Sequence, residues 1–445
     1  MKQIFFVKPP VPGQAKTRLS NFLGENAIQV YKVLLEAVIH SFESDVLLSL
    51  SEPDSTGYFA QQYPTLPQSI QKPGHLGLRM AEAFLEVRRD WPGQCILLTG
   101  GDVPEYTPAM AQRAANALEQ FDVVLIPAGD GGYSTVGLSR NLQADDATIR
   151  SSFEGMDWST DRVLVQQQER FRTLGWTVAT LEPVEDLDDA ADLYRLMRRG
   201  GLPGTIRDRL ARILPSIAVI LPVLNEAENL QFVLQPLIDS GMFSHIVCAD
   251  NGSDDGSQEL ASSLGVEVTH CQRKGYGSTC LVAMEYLSGF SDWDVLLFTD
   301  ADGSDDPADL FKVLGPVVSG RADLCIGRRQ GGLLLHQRFG NWLATFLIRL
   351  LYRHRYSDLG PFRAIGRAAL SRLGMDDPDF GWTVQMQIRA LRARLRVQEA
   401  DVTSRKRHAG RSKVSATVRG SVMAGWVILR TVGKEFLLNK NLSRR

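Results

Sequence analysis

Two aspartates one residue apart, Asp300 and Asp302, directly follow an apolar run at 295–298. The run predicts a buried strand, and the small and polar residues after it predict a turn. Carboxylates at the carboxyl end of a strand lie where open α/β sheets bind their ligands. Such oxygen ligands suit Mg²⁺ or Mn²⁺, whose other coordination positions go to water and phosphate oxygens. The pair predicts a metal site beside a phosphate-bearing ligand; a solvated acidic turn is the alternative.

Polar loops follow three more predicted strands in this half of the chain, at 217–221, 245–249 and 266–270. They contain the following candidates for contact with a nucleotide: Pro222, Asn225, Glu226, Asp250 and Lys274. Strands that alternate with helices on this spacing predict a parallel sheet, which gathers the loops at one edge. Carboxylates and amides can bind base and ribose there, while a glycine-containing loop admits phosphate. The set therefore predicts a site for a nucleoside diphosphate.

The first half of the chain opens with a strand predicted at 4–7 and a Pro/Gly loop that ends in Lys16 and Arg18. A helix is predicted at 25–42, so this loop resembles a phosphate cradle. Strands predicted at 95–99 and 122–126 bring Asp102 and Asp130 to the same edge. The alternative is that both are turn aspartates beside glycine.

Several separated motifs in residues 1–197 carry a family resemblance: VKPPVPGQAKTRL, HLGLRM, GGDVP, PAGDGGY, WST and EDLDDAADL. They resemble a family of small GT-A-like transferases related to nucleotidyltransferases such as 2-phospho-lactate guanylyltransferase. The resemblance implies a nucleotide-sugar-type α/β sheet, with Lys16 and Arg18 near phosphates and Asp102 near a metal. The family usually has serine where this chain has Gly101, so a degenerate or regulatory domain is an open alternative.

Residues 216–436 carry a second resemblance, in DADGSDDP, IGRR, HQRFGN, SDLGPFRAI, GWTVQMQIRA and SKVSATVRGSVMAGW. These motifs resemble family-2 glycosyltransferases, and among them the branch that transfers sugars to polyprenyl phosphates. The resemblance implies Asp300 and Asp302 as metal and diphosphate ligands and Asp250 at the nucleoside. It also implies that the phosphate and acceptor side is lined by Arg328, Asp358, Arg363, Arg407 and Lys413. The catalytic candidates are Arg328, Asp358 and Asp302.

Position 385 departs from the second family, whose members usually carry glutamate where this chain has Gln385. A hydroxyl acceptor usually needs a carboxylate base to take its proton. A phosphate acceptor is already an anionic nucleophile and needs cationic positioning instead, which arginine supplies. Gln385 is therefore compatible with a phosphate acceptor, and a structural hydrogen-bonding site on a helix is the alternative.

Composition limits the setting of the protein. The net charge of −2 over 445 residues does not indicate a nucleic-acid binder, and five scattered cysteines without C-x-x-C spacing favour a reducing, cytoplasmic compartment. No apolar run reaches the roughly 18–20 residues of a membrane span. Trp342, Phe346 and Leu350 recur at helical spacing, which favours core or interface packing over an acceptor groove.

The C-terminal tail from Val402 onward contains eleven basic residues and one acid, Glu435. Apolar residues recur within it at helical spacing: Val414, Val418, Val422, Trp426, Leu429, Val432 and Phe436. This pattern predicts an amphipathic helix. Either the stripe packs on the core, or the helix docks on anionic lipid at the inner face of the membrane, with Arg407 and Lys413 near a polyprenyl phosphate.

Together these patterns predict an α/β protein of two tandem GT-A-type domains, at 1–197 and 216–445, joined by a linker at 198–215. The predicted activity is metal-dependent, inverting glycosyl transfer by the second domain from a nucleotide sugar, with UDP-glucose and GDP-mannose both open as donors. Two alternatives stay open. Nucleotidyl transfer by the first domain could be the main activity, or the chain could be a nucleotide-binding scaffold without catalysis.

Overall fold

The structure is a computed structural model of the chain. It describes residues 1–42, 45–185, 187, 189–200, 202–331, 335–409 and 426–437. Side chains at 335–337 and 339 lie outside this description, as do Lys413, Val414, Val418 and Val422. Contacts divide the chain into two compact units, one of Met1–Ser20 with Glu25–Ile213 and one of Asn21–Gly24 with Leu214–Arg445. That residues 1–197 and 216–445 are domains, joined by a linker at 198–215, stays a prediction.

The first unit contains a seven-stranded sheet whose strands lie in the order β3-β2-β1-β4-β6-β5-β7. All its neighbouring strands are parallel except β6, which runs antiparallel to β4 and β5. The strands are Lys2–Val7 (β1), Val46–Leu50 (β2), Gln68–Ile70 (β3), Ile96–Gly100 (β4), Val123–Pro127 (β5), Tyr133–Leu138 (β6) and Val178–Thr180 (β7).

The second unit repeats this topology, with the order β10-β9-β8-β11-β13-β12-β14 and one antiparallel strand, β13. The strands are Ile217–Val223 (β8), Phe243–Asp250 (β9), Glu267–His270 (β10), Val295–Phe298 (β11), Leu324–Gln330 (β12), Arg363–Gly366 (β13) and Val397–Thr403 (β14). Counted from the first strand of each unit, the two orders are identical. The predicted α/β fold is confirmed, with two mostly parallel sheets of the same topology.

Helices cover both faces of each sheet, as parallel strands require. Between Met1 and Ile213 they are Thr17–Leu23 (α1), Asn26–Ile39 (α2), Tyr58–Gln62 (α3), Leu76–Asp90 (α4), Pro108–Ala117 (α5), Asp146–Ser151 (α6), Val163–Thr173 (α7), Ala190–Arg199 (α8) and Gly204–Ile213 (α9). In the second unit they are Ala227–Ser240 (α10), Ser257–Ser263 (α11), Tyr276–Ser288 (α12), Leu310–Val318 (α13), Leu335–Tyr352 (α14), Arg367–Leu373 (α15), Trp382–Arg392 (α16) and residues 426–437 (α17). No helix among the described residues is both long enough and apolar enough to cross a membrane.

The core of the second unit explains why its central strand is apolar throughout. All four residues of β11 are buried, because a central parallel strand is covered on both faces. Trp382 of α16 is fully buried and its ring lies 4.7 Å from that of Phe298. This packing holds the carboxyl end of β11, from which the acidic loop leaves, in a fixed position.

The apolar stripes of helices α17 and α14 differ in how far they are buried. In α17, Val432 is buried in the core and Phe436 is half-buried against Tyr352, whereas Trp426 is exposed, so docking of the tail on lipid stays a prediction. In α14, Trp342, Phe346 and Leu350 are exposed, so of the two expected kinds of packing, core or interface, the core is excluded and an interface stays a prediction.

Candidate functional site

Parallel pairing brings the predicted loops of the second unit to one edge of its sheet. The register pairs Val223 with Asp250 and Ile220 with Phe298, so β8, β9 and β11 end side by side. Asn225 follows β8 with a left-handed φ of 51°, and the Asn225 N–H donates to Ser253 Oγ at 2.8 Å. The loops after β8 and β9 are therefore hydrogen-bonded into one surface next to the acidic loop after β11.

The acidic loop contains a third carboxylate besides the predicted pair. Asp305 Oδ2 accepts hydrogen bonds from the Asp300 N–H at 3.0 Å and from Thr299 Oγ1 at 2.9 Å. The Asp302 carboxylate accepts from the Ser304 N–H at 2.9 Å, which closes the turn. The backbone of the loop is thus folded around Asp305, and all three carboxylates lie in one small region.

Burial and neighbouring negative charge raise the pKa of two of these carboxyls, Asp300 and Asp305. Burial, followed by the charges of Asp305 and Asp302, raises the pKa of Asp300 well above its usual range. Burial also raises the pKa of Asp305 to about 6. Arg329 and Arg407 oppose both effects for Asp300. A concentration of negative charge that two arginines leave incompletely balanced is an environment that favours a bound cation.

Arg407 connects the acidic loop to the loop after β8. Its guanidinium Nη1 lies 3.3 Å from Asp302 Oδ2, and Nη2 donates to Glu226 Oε1. Glu226 also accepts from Asn229 Nδ2 at 2.6 Å. The described chain around Arg407 is held over the loop, since the Arg405 N–H donates to the Ser304 carbonyl at 2.8 Å. One arginine thus bridges two carboxylates in loops that follow different strands, and its implied contact with phosphate stays a prediction.

Neighbouring arginines on β12 have different surroundings. Arg329 forms a two-bond pair with Asp358, at 2.8 Å and 2.7 Å, and Asp358 is almost fully buried. Arg328 points to the other face of the strand and pairs with Asp401, where both side chains are largely exposed. The structure thus places Arg329, and not Arg328, between Asp358 and the acidic loop; the catalytic roles of Arg328 and Asp358 stay predictions.

Asp250 and Lys274 lie at the expected edge, but their charged atoms hold the loop together. The Asp250 carboxylate accepts from the backbone N–H groups of Gly252 and Ser253 and from Gln258 Nε2. Lys274 Nζ donates to the carbonyls of Asn251, at 2.8 Å, and Gly252. Pro222 lies within β8, in register with Ala249. The nucleotide contacts of these residues stay predictions.

Arg363, which the resemblance implies at the acceptor side, and Gln385, where relatives usually carry glutamate, are both buried. Arg363 is fully buried, burial lowers its pKa to about 10, and it donates to the backbone carbonyls of Thr383, Leu359 and Gly360. Gln385 is also fully buried. In the structure both side chains have structural hydrogen-bonding partners.

The loop of the first unit that was predicted to bind phosphate contains one side of an ion pair. Lys16 has a left-handed φ of 49°, and its Nζ lies 3.0 Å from Asp102 Oδ2. Although burial acts in the other direction, Lys16 holds the pKa of Asp102 below its usual range. Arg18 is exposed, and Asp130 accepts from the Gly132 N–H in an exposed turn. The ligand roles of Lys16, Arg18 and Asp102 stay predictions.

The fit of a metal to the second unit can be judged from its donor atoms. Asp300 and Asp302 offer carboxylate oxygens directly after β11, which matches the preference of Mg²⁺ and Mn²⁺ for oxygen ligands. Among the described residues, however, no three His, Cys, Asp or Glu side chains are placed to hold a metal by themselves. The residues therefore fit a metal that the phosphate oxygens of a donor help to coordinate.

Two residues of this site were missed from the sequence. Asp305 lies in the same acidic run as Asp300, and its position five residues later in a turn was the available signal. Arg329 adjoins the chosen Arg328, and strand alternation shows only that the two lie on opposite faces. Which of the two faces the acidic loop was not readable from the sequence.

Comparison with known proteins assigns the two halves. Residues 34–160 match a family described as an uncharacterized protein conserved in bacteria (DUF2064), and residues 218–364 match glycosyltransferase family 2. An uncharacterized glycosyltransferase of Mycobacterium bovis is 36% identical over 213 residues, 47% of this chain and 94% of that protein. The chain therefore belongs to glycosyltransferase family 2 through its second unit, and its first unit carries the DUF2064 domain.

Two further proteins are similar over about half of the chain. Polyprenol monophosphomannose synthase of Mycolicibacterium smegmatis is 31% identical over 227 residues, which are 45% of this chain and 81% of that protein. Among solved structures, glucosyl-3-phosphoglycerate synthase from Mycobacterium tuberculosis, in complex with Mn²⁺, UDP and phosphoglyceric acid, matches with a TM-score of 0.44 and 18% identity. The matched region covers 56% of this chain and 82% of the chain in that structure. Family membership makes the protein a glycosyltransferase of α/β, GT-A-type fold.

Proposed function

We propose that the second unit transfers a sugar from a nucleotide-sugar donor to a polyprenyl phosphate, with a divalent metal and with inversion at the anomeric carbon. The observation that carries the proposal is the acidic loop, in which Asp300, Asp302 and Asp305 are crowded together with Arg407 bridging to Glu226. Mg²⁺ and Mn²⁺ both suit these oxygen donors.

The residues of the chain have distinct parts in this reaction. A bound divalent cation would supply charge neutralisation of the leaving diphosphate. Asp300 and Asp302 would hold the cation after the end of β11, while Arg407 contributes a positive charge beside Asp302. Asp358 orients Arg329 by the two-bond pair that keeps the guanidinium facing the loop. An acceptor phosphate oxygen forms the new bond to C1 as the bond from C1 to the donor diphosphate breaks.

Position 385, where relatives usually carry glutamate, supplies no base here, and this is compatible with a phosphate acceptor. Gln385 is neutral and fully buried, so it cannot take a proton from a hydroxyl acceptor. A phosphate monoester is already ionised at neutral pH and requires no such base, whereas it benefits from arginines that stabilise its charge. The relative named polyprenol monophosphomannose synthase supports the same acceptor class.

The test uses the full chain with labelled UDP-glucose or GDP-mannose and a short, water-soluble polyprenyl phosphate. Transfer should require Mg²⁺ or Mn²⁺, stop with EDTA, and give a product whose anomeric configuration is opposite to that of the donor. Asp302→Asn should lower turnover by about a hundredfold or more, because it removes charge stabilisation of the leaving group. Asp239→Asn, an exposed aspartate near the end of α10, is the matched control and should retain activity. Transfer that survives both Asp302→Asn and EDTA would refute the proposal.

A further inference from the structure

Helix α14 presents large apolar side chains to solvent. Trp342, Phe346 and Leu350 are 57%, 47% and 64% exposed, and the rings of the first two stack with centroids 5.6 Å apart. The opposite side of the helix packs on the core through Ala344 and Ile348, which are fully buried. An exposed apolar stripe with this regular spacing indicates an interaction surface rather than scattered surface residues.

Positive charge accompanies the stripe. At 3.6 residues per turn, Arg338 and Arg349 lie on the same face of about 120° as the three apolar residues. Both arginines are exposed, and neither forms an ion pair within the described part of the chain. Between Asp323 and Asp358 the sequence contains six arginines and no acidic residue. An apolar stripe with unpaired cations on the same face is the pattern of a helix that lies in a membrane interface.

The same helix is bonded to the candidate site. Asn341, one residue before Trp342, donates from Nδ2 to the Ser357 carbonyl at 3.2 Å and accepts from the Leu359 N–H at 3.0 Å. Between these two residues is Asp358, which pairs with Arg329 beside the acidic loop. Anything that binds to α14 is therefore close to the residues that we expect to contact the acceptor.

We propose that α14 docks the second unit on an anionic lipid bilayer, with Trp342, Phe346 and Leu350 in the interface and Arg338 and Arg349 on lipid headgroups. The occupant is an anionic bilayer because its charge complements a segment without acids, while its interface accepts the aromatic pair. The inference rests on the proposed function in one respect, since a polyprenyl phosphate acceptor is itself held in a bilayer. It adds a membrane contact on α14 to the one predicted for the tail, where Val432 is buried and Trp426 is exposed.

The first experiment measures binding of the full chain to vesicles of phosphatidylcholine mixed with phosphatidylglycerol, and to vesicles of phosphatidylcholine alone. The protein should co-sediment with the mixed vesicles at low salt, release as salt is raised, and bind poorly to phosphatidylcholine alone, because headgroup contacts are screened. Absence of binding to the mixed vesicles at low salt would overturn the proposal.

Variants assign the binding to α14. The triple variant Trp342→Ser, Phe346→Ser, Leu350→Ser should weaken vesicle binding by about tenfold or more, since it removes the apolar contact. Arg338→Gln with Arg349→Gln should weaken it by about fivefold for each charge removed and reduce its salt dependence. The matched control replaces three exposed apolar residues of the first unit with serine, Ile70, Phe121 and Val165, and should bind as the unmodified protein does.

Two readouts separate this inference from the proposed function. Transfer to the short, water-soluble acceptor without vesicles should be unchanged in the α14 variants, because none of these residues belongs to the candidate site. If that transfer is intact but α14 variants bind vesicles as tightly as the control, the docking proposal is wrong and the function stands. A dimer in sedimentation velocity that the triple variant dissociates would also overturn it, because a second copy of the chain would then cover the stripe.

Discussion

Replacing Gln385 with glutamate tests the structural explanation for the departure at this position. Gln385 Oε1 accepts from the N–H groups of Asp376 and Asp377, at 3.0 Å and 2.9 Å. Its Nε2 donates to Asp376 Oδ1 at 2.6 Å and to Glu435 Oε1 at 3.1 Å. Both donated bonds end on carboxylates, and Glu435, a residue of α17, is fully buried against α16. Only a side chain that accepts hydrogen bonds with one atom and donates them with another can bond to all of these partners.

The size of the effect follows from the charges. A glutamate at position 385 would turn both donated bonds into contacts between carboxylates, which the fold can avoid by binding a proton. Protonating a glutamate of ordinary pKa, about 4.3, requires about 4 kcal/mol at pH 7 and about 1 kcal/mol at pH 5. The protonated acid has one donor where the amide has two, which adds about 1 kcal/mol for the lost bond. We therefore expect Gln385→Glu to lower the free energy of unfolding by about 5 kcal/mol at pH 7 and about 2 kcal/mol at pH 5.

The sign of the pH dependence is part of the prediction. The pKa of the new carboxyl is raised in the folded state, so folding takes up a proton and the variant loses stability as pH rises above the unfolded pKa. Denaturant unfolding of the full chain between pH 5 and pH 8 measures this, with hydrogen exchange over 426–437 as the local readout. Gln398→Glu, the same change at an exposed position on β14, should be nearly neutral. A loss in Gln385→Glu no larger than in this control, or one independent of pH, would show that Arg389 and Arg392, which bind Glu435, absorb the added charge.

Three further predictions concern single residues. Arg329→Gln should lower the free energy of unfolding by about 3–5 kcal/mol, because it leaves buried Asp358 unpaired, whereas Arg328→Gln at the exposed edge should lose under about 1 kcal/mol; equal losses in denaturant unfolding would contradict the assignment. His245 hydrogen-bonds Glu267 and Asp292, and although burial lowers its pKa these bonds raise it overall. Its stabilisation should be complete below about pH 6.5 and disappear as pH rises through the folded-state pKa, so His245→Gln should cost stability at pH 6 and little at pH 9, and a constant difference would argue against it. We also expect a phosphate-bearing ligand beside Lys16: in Asp302→Asn protein, calorimetry with nucleoside triphosphates should show binding that Lys16→Met removes, and no heat with any of them at millimolar concentration would favour a scaffold role.

Local sequence was sufficient for the architecture. Short apolar runs that end in polar turns predicted the strands at both candidate edges, and the run at 295–298 agrees with β11 at both ends. The order of elements predicted parallel pairing, and the two family resemblances implied tandem domains of the same GT-A type. These features depend on the spacing of apolar residues along the sequence and on the residue types that favour turns, and both are local properties.

Tertiary structure decided which side chains meet. Arg328 and Arg329 are equivalent as sequence, and only the register of β12 with β14 pairs Arg328 with Asp401 and leaves Arg329 to Asp358. Gln385 became interpretable once Glu435 was seen beside it, fifty residues away along the chain.

The stripes of α14 and α17 show the same division between what the sequence determined and what the fold decided. Hydrophobic periodicity predicted that each helix has an apolar face, but it did not say what that face touches. Val432 of α17 is buried in the core, whereas Trp342 of α14 faces solvent. Periodicity is a property of one helix, whereas burial depends on the neighbours that the rest of the chain brings to it.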